Sequence, residues 1–231
     1  MFPNASGSNA PMEFSRRQRV YALVGILIAL LWPSLVRLLT TSGMGDLSSV
    51  NSDLRTIAVE WSIALLLAAI ALAGQRLQPP FFRLAMFGGR DVLAMIAALL
   101  VTFTLAGGIS RFVAPPAFDL KAIASVPFGV RAILVITAGI CEEFIFRGFA
   151  IEEIGLLTGS RWLGAVLTVV FFGLGHVGTY GFSSALVLPA FIGLVITLLY
   201  MWRNNLPLCM LMHAAIDGMV VLLVPALQRA Q

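Results

Sequence analysis

The chain has 231 residues, of which 59% are apolar and only 11% charged, and its mean hydropathy is +0.96. So apolar a chain has too little polar side chain to cover a water-facing surface, which excludes an ordinary soluble globule. The net charge of +4 does not point to nucleic acid: the basic residues stand singly, and fourteen of the fifteen are Arg, Lys121 being the exception, as a codon bias toward G and C would give.

The first nineteen residues are polar and end in Arg16, Arg17 and Arg19 ahead of a long apolar run. That order reads as a retained signal anchor with a cytoplasmic amino-terminal segment, 1–19, and not as a cleaved signal peptide. A hydrocarbon layer about 30 Å thick takes roughly 20 mostly apolar residues per helical crossing. Seven runs approach that length: Val20 to Leu39, Ile57 to Leu77, Val92 to Ser110, Val130 to Ala150, Trp162 to Val177, Ser184 to Trp202 and Leu206 to Leu227. An eighth membrane element fits around Phe112 to Phe128. Breakers separate the runs: a polar stretch from Thr40 to Ser52, Gln78-Pro79-Pro80, and Ala114-Pro115-Pro116. The fold class is therefore all-α, a polytopic transmembrane bundle of about seven to eight helices, without internal repeat or second domain. Cys141 and Cys209 lie inside apolar runs, where thiols pack and a disulfide framework has no purpose.

Basic residues assign the sides. The amino-terminal cluster, Arg76, Arg83, Arg90, Arg161 and Arg203 fall on one face, and Arg37, Arg55, Arg111, Lys121, Arg131 and Arg229 on the other. Eight against six favours a cytoplasmic amino terminus, with the carboxyl terminus outside.

A charge at the centre of a membrane helix costs about 2.5–3.5 kcal/mol on insertion scales, so each needs a partner, a water cavity or a role. The fourth run holds three, in Glu142-Glu143-Phe144-Ile145-Phe146-Arg147. Glu143 and Arg147 are four apart, on one helix face, and can pair. Glu142 points about 100° away and stays free, a candidate general base or acid. The two histidines of the chain, His176 and His213, both lie in later apolar runs. Phe172 precedes His176 by one turn and packs near its ring, while Gly173, Gly175 and Gly178 leave space for a close backbone or a substrate. Asp217 follows His213 at one-turn spacing, where it can accept from an imidazole N–H and fix the ring. Taken singly, each group reads as an interhelical hydrogen bonder; Glu142, His176, His213 and Asp217 together, on three apolar helices, are hard to explain as separate accidents.

These residues resemble the three-part pattern of the CAAX prenyl protease and bacteriocin-processing family, called CPBP or Abi. Its Glu-Glu-x-x-x-Arg, Phe-x-x-x-His and His-x-x-x-Asn/Asp elements read here as Glu142-Glu143-x-x-x-Arg147, Phe172-x-x-x-His176 and His213-x-x-x-Asp217. The likeness runs from Val130 to Leu223, within a CPBP-like core at 126–227; the helices of 20–125 carry no motif of the family. The resemblance implies an intramembrane glutamic-type endopeptidase acting on a peptide or protein substrate at the lipid bilayer, CAAX-protease-like or bacteriocin-processing in kind. By that carry-over Glu142, assisted by His176, activates water; His213 and Asp217 stabilise the oxyanion; Glu143 and Arg147 hold the site, with Phe172 in support. An ionised Asp217 cannot donate to an oxyanion as Asn can, so either it carries a proton or it acts by orienting His213 as the donor. The resemblance calls for no cofactor in its metal-free form; a zinc form would use Glu142, His176, His213 and Asp217 as ligands. The Arg bias suggests a bacterial inner membrane. The rival readings are a polytopic transporter, which would show broken paired helices in corresponding halves of the chain, and a catalytically silent membrane scaffold.

Counting along the helices predicts a mismatch of depth. At about 1.5 Å per residue, Glu142 lies ~12 Å from Ala150 and His213 ~10 Å from Leu206, but His176 lies ~21 Å from Trp162. An amphipathic dip of Ile151 to Ser160 into the membrane would bring His176 level.

Overall fold

A computed structural model describes residues 15–40, 50–74, 88–114, 120–180 and 182–223, without the side chains of 34–40, 120, 178 and 179. Most of the polar amino-terminal segment, the side chain of Arg37, Arg76, Arg83 and Arg229, the prolines at 79–80 and 115–116, and the last run beyond Leu223 lie outside the described residues. Every described element is helical. In chain order they are α1 (Arg16–Thr40), α2 (Val50–Ala73), α3 (Gly89–Ile109), the short α4 (Leu120–Ser125) and α5 (Phe128–Glu143). A π-helical stretch, Phe144–Ile151, carries α5 into α6 (Glu152–Thr158), followed by α7 (Arg161–Gly175), the single turn α8 (Val177–Tyr180), a 3-10 turn, α9 (Val187–Arg203) and α10 (Leu206–Gly218), which ends in a second π-helical turn, Met219–Leu223.

The chain is an integral membrane protein. Val50–Ala73, Gly89–Ile109, Ser184–Arg203 and Leu206–Leu223 are each long and apolar enough to cross a membrane, and their outer faces carry bare leucines such as Leu65 at 64% exposure and Leu93 at 68%. The element expected around Phe112 to Phe128 is, among the described residues, only the six-residue α4, too short to span.

Local signals set the helix ends. Gly159, at φ +76°, closes α6, and Ser160 at once caps α7 by accepting the Leu163 N–H at 3.3 Å. Asn204, at φ 51°, closes α9, and Asn205 caps α10 through the Leu208 N–H. Each pair is a left-handed stop followed by a polar start, which turns one helix back along the next within two residues.

The fourth span runs well past its expected end at Ala150. From Phe128 to Thr158 the backbone is one helical path, and Glu152 and Glu153, inside the stretch expected to dip as an amphipathic element, are buried. Glu152 accepts from Arg161 at 2.6 Å and from the Tyr200 hydroxyl at 2.7 Å. The extension levels Glu142 with His176, sixteen residues from Thr158 and fifteen from Arg161, roughly 24 and 22 Å at about 1.5 Å per residue. A continued helix, and not a separate amphipathic dip, levels the two. His213 meets Glu142 because Leu206, the start of α10, packs against Gly148, six residues from Glu142.

This polar helix is the axis of the bundle. Cys141, Ile145, Phe146, Phe149, Ala150 and Ile151 are wholly buried on it, and α1, α2, α7 and α10 pack around it. Gly139 lets α10 approach closely: a β-carbon there would meet the Met210 carbonyl oxygen at 2.9 Å. Gly173 and Gly175 likewise admit neighbouring helices, with Ala190 and Pro33 against them, so the space expected for a substrate is filled by helix packing at these two positions. One end of the bundle gathers the starts of α1, α3, α7 and α10: Gln18 donates to the Gly74 carbonyl, Arg203 pairs with Asp91 at 2.6 Å, and Arg161 donates to Asn204. Arg131 belongs to the opposite end, bonded to the Val126 and Val221 carbonyls.

Candidate active site

The Glu143–Arg147 pair is local. Arg147 Nη1 donates to Glu143 Oε1 at 2.8 Å, and both side chains are wholly buried. Arg147 also reaches α9, donating from Nη2 to the Gly193 carbonyl at 2.8 Å and from Nε to Thr197 Oγ1 at 3.3 Å. Its guanidinium lies 4.9 Å from the centre of the Phe172 ring on α7. One planar cation thus ties three helices together, a task suited to a fork of fixed donors. Thr197 and Gly193 were not readable as partners, since only the tertiary fold brings α9 to Arg147.

His213 enters from α10 beside Gly139. Its Nδ1 donates to Glu143 Oε1 at 2.7 Å, so Glu143 serves the arginine and the imidazole together. Its Nε2 faces Asp217 Oδ2 at 3.4 Å and Glu142 Oε2 at 3.9 Å. The one-turn spacing pointed to Asp217 as the ring's acceptor; Glu143, across two helices, makes the shorter contact. Asp217 is about one-third exposed, with 34% of its side chain accessible.

His176 sits just past the last turn of α7, where the backbone leaves helical geometry at ψ 3°. Its Nδ1 donates to the Phe172 carbonyl at 2.8 Å, which in the neutral ring leaves Nε2 as an acceptor. The Phe172 ring lies 4.8 Å from the His176 ring and 5.9 Å from the His213 ring, so one phenyl stands between the two imidazoles. Among the described residues no hydrogen bond or ion pair joins His176 to Glu142.

Glu142 is the uncommitted group. Its side chain is 7% exposed, and its Oε2 has no hydrogen-bond partner. A π-helical stretch begins one residue after Glu143, and such widened turns recur at functional sites. Among the described residues no three His, Cys, Asp or Glu side chains gather in a group that could hold a metal ion.

One buried acid escaped the sequence reading. Glu60 of α2 is 2% exposed, and its Oε2 lacks a hydrogen-bond partner. It interacts electrostatically with Glu142, His213 and Asp217. The signal was present, because a charge inside an apolar run demands explanation. A second run starting at Ile57 puts Glu60 near an interface; the helix begins at Val50, roughly 10 Å before Ile57 at about 1.5 Å per residue.

Buried carboxylates of α5, the buried His213 of α10 and the half-buried His176 at the end of α7, inside a bundle whose outer face is leucine, define a polytopic membrane protein with an acid–imidazole centre. Residues 124–219 match the family model described as type II CAAX prenyl endopeptidase Rce1-like, a model of the CPBP family. The match covers less than half the chain and contains Glu142, Glu143, Arg147, Phe172, His176, His213 and Asp217. The match supports, in general class, a CAAX-protease-like intramembrane endopeptidase and suggests a protein substrate at the membrane. No curated protein and no solved structure matches the chain.

Proposed function

We propose that this protein is a glutamic-type endopeptidase in which Glu142 is the general base. The observation that carries the reading is the free Oε2 of Glu142, held inside the bundle 3.9 Å from the Nε2 of His213. The other acid between Glu142 and Arg147, Glu143, also has an unpartnered Oε2, but its Oε1 is committed, accepting from both Arg147 and His213.

In this mechanism Glu142 takes a proton from a water molecule as the oxygen attacks the scissile carbonyl. The Nε2 of His176, an acceptor while Nδ1 donates to Phe172, helps hold that water. Negative charge then develops on the carbonyl oxygen. Carrying both ring protons, His213 donates Nδ1–H to Glu143, which orients it from behind, and offers its Nε2–H to the oxyanion; Asp217 acts through that ring and not as a donor of its own. On collapse the proton on Glu142 passes to the leaving amine, and the base is regenerated.

The reading is metal-free: Glu142 itself, and not a bound ion, activates the water. The substrate is a peptide or small protein, CAAX-like or of the bacteriocin-processing kind, and the protein sits in a bacterial inner membrane with its amino terminus in the cytoplasm. The shared end of Arg161 and Arg203 supports that orientation.

The test presents the purified protein, with and without chelator, with a library of membrane-anchored peptides and compares it with Glu142→Gln and His176→Ala. Chelator-resistant cleavage by wild type, nearly abolished in Glu142→Gln and reduced in His176→Ala, is the expected result. Equal cleavage by all three removes the assignment; loss on chelation that zinc restores replaces the metal-free mechanism.

A further inference from the structure

Phe172 and His176 are four residues apart, and Tyr180 repeats the step although α7 has ended in between. The chain resumes in the single turn α8, where the Tyr180 N–H donates to the His176 carbonyl at 2.9 Å. That bond brings the phenol back to the imidazole. Phe172 meets the His176 ring at 4.8 Å between centres and 41° between planes, and Tyr180 meets it at 6.1 Å and 58°. Both distances fall in the range of about 4.5–7 Å over which aromatic rings attract. Among the described residues no ring contact joins Phe172 to Tyr180, so the two approach the imidazole from different sides.

Each of these neighbours is itself held. Phe172 is 2% exposed, with the Arg147 guanidinium 4.9 Å from its centre and Phe146 edge-on at 5.4 Å. Half-buried Tyr180 is fixed through its backbone: its carbonyl accepts from Ser183 Oγ at 2.9 Å, and that oxygen accepts from the Ala185 N–H at 3.2 Å, in the 3-10 turn that leads into α9. Ser184 Oγ in turn accepts from the Ala114 N–H at 2.9 Å, which ties this connection to the chain beyond α3. Tyr180 is thus bonded at both its N–H and its C=O, more than a surface connection requires.

His176 lies past the last turn of its helix, and a single hydrogen bond, from Nδ1 to the Phe172 carbonyl, sets its ring. One bond leaves an imidazole free to turn away and to move its proton to the other nitrogen. We propose that Tyr180 is a positioning residue of the site: its ring walls the side of the imidazole that Phe172 leaves open, keeps the Nδ1 bond made, and so keeps Nε2 as the acceptor offered to the water. The inference deepens the peptidase reading, on which its kinetic consequence rests. The aromatic ring is the part required. A displacement of about 1 Å in a reacting group can cost on the order of 10²-fold in rate, so a wall that touches no substrate still counts.

The experiment uses the full chain in detergent, with Tyr180→Leu and Tyr180→Phe beside wild type and Glu142→Gln. The chain has two histidines, so nitrogen-15 labelling of histidine gives two ring systems, told apart by His213→Gln. At mildly alkaline pH the expected wild-type spectrum shows the His176 proton on Nδ1 and nuclear Overhauser contacts between the His176 and Tyr180 rings. In Tyr180→Leu the two His176 ring-nitrogen signals move toward each other as the proton divides between them; in Tyr180→Phe they stay apart. With a cleavable peptide, kcat falls on the order of tenfold in Tyr180→Leu while KM stays within about twofold, and Tyr180→Phe recovers most of the loss. A tyrosine that only fills the connection between α7 and α9 would lower the unfolding temperature of Tyr180→Leu and leave kcat and the His176 signals unmoved, which overturns the proposal. Absence of ring-to-ring contacts in wild type overturns it too, a result that needs no variant to fold, and so does a Tyr180→Phe as slow as Tyr180→Leu. Equal cleavage by wild type and Glu142→Gln strikes the peptidase reading instead, and the histidine spectra still decide the position of the ring.

Discussion

Replacing Arg147 by Leu removes the cation that joins α5, α7 and α9. Breaking one side of a wholly buried ion pair costs about 3–5 kcal/mol, because the partner is left charged and out of water. Here Glu143 keeps the N–H of His213, which offsets part of that cost, while the bonds to Gly193 and Thr197 are lost at about 1 kcal/mol each. The sum stays at about 3–5 kcal/mol, roughly 6–20 °C in Tm for a chain of this size. Tryptophan fluorescence during thermal unfolding in detergent measures it, with Trp32 wholly buried as an internal reporter. Adding Glu143→Gln to Arg147→Leu restores part of the stability, since Gln still accepts from His213 and no buried charge is orphaned. Arg147→Lys falls between, as an ammonium reaches Glu143 but cannot also fork to Gly193 and Thr197. A Tm for Arg147→Leu within about 2 °C of wild type, or a double variant less stable than the single one, would refute the reasoning.

Two further outcomes separate site geometry from the rest of the fold. Gly139→Val sets a β-carbon 2.9 Å from the Met210 carbonyl and pushes α10 away from α5; it should cost about 1–3 kcal/mol in unfolding experiments and lower peptide cleavage by parting His213 from Glu143. Tyr200→Phe removes the hydroxyl that donates to Glu152 while Arg161 still donates to it, and should cost about 1–2 kcal/mol in the same unfolding assay. Cleavage should be unchanged in that variant, because Glu152 lies ten residues, roughly 15 Å, along the helix from Glu142.

What the sequence disclosed was mostly local. Glu143 and Arg147, one turn apart, pair as their spacing predicts, and Phe172 meets the His176 ring one turn on. Contacts made between helices were hidden. Nothing in the order of residues announces that Glu143 is the partner of His213 seventy positions away, or that Arg147 finds Gly193 and Thr197. The end of the fourth span was hidden for the same reason: Glu152 and Glu153 look like an interface until Arg161 and Tyr200 are folded against Glu152. Glu60 was legible and passed over, because a helix start misplaced by seven residues moved it from the interior of a span to its edge.

The central claim is that Glu142 is the base that activates water. Its most direct test is the kcat of Glu142→Gln on one cleavable membrane peptide, measured on protein whose unfolding temperature matches wild type. Gln keeps the shape but cannot take the proton, so the account predicts a fall on the order of 10²–10⁴-fold. A kcat within about twofold of wild type would contradict it.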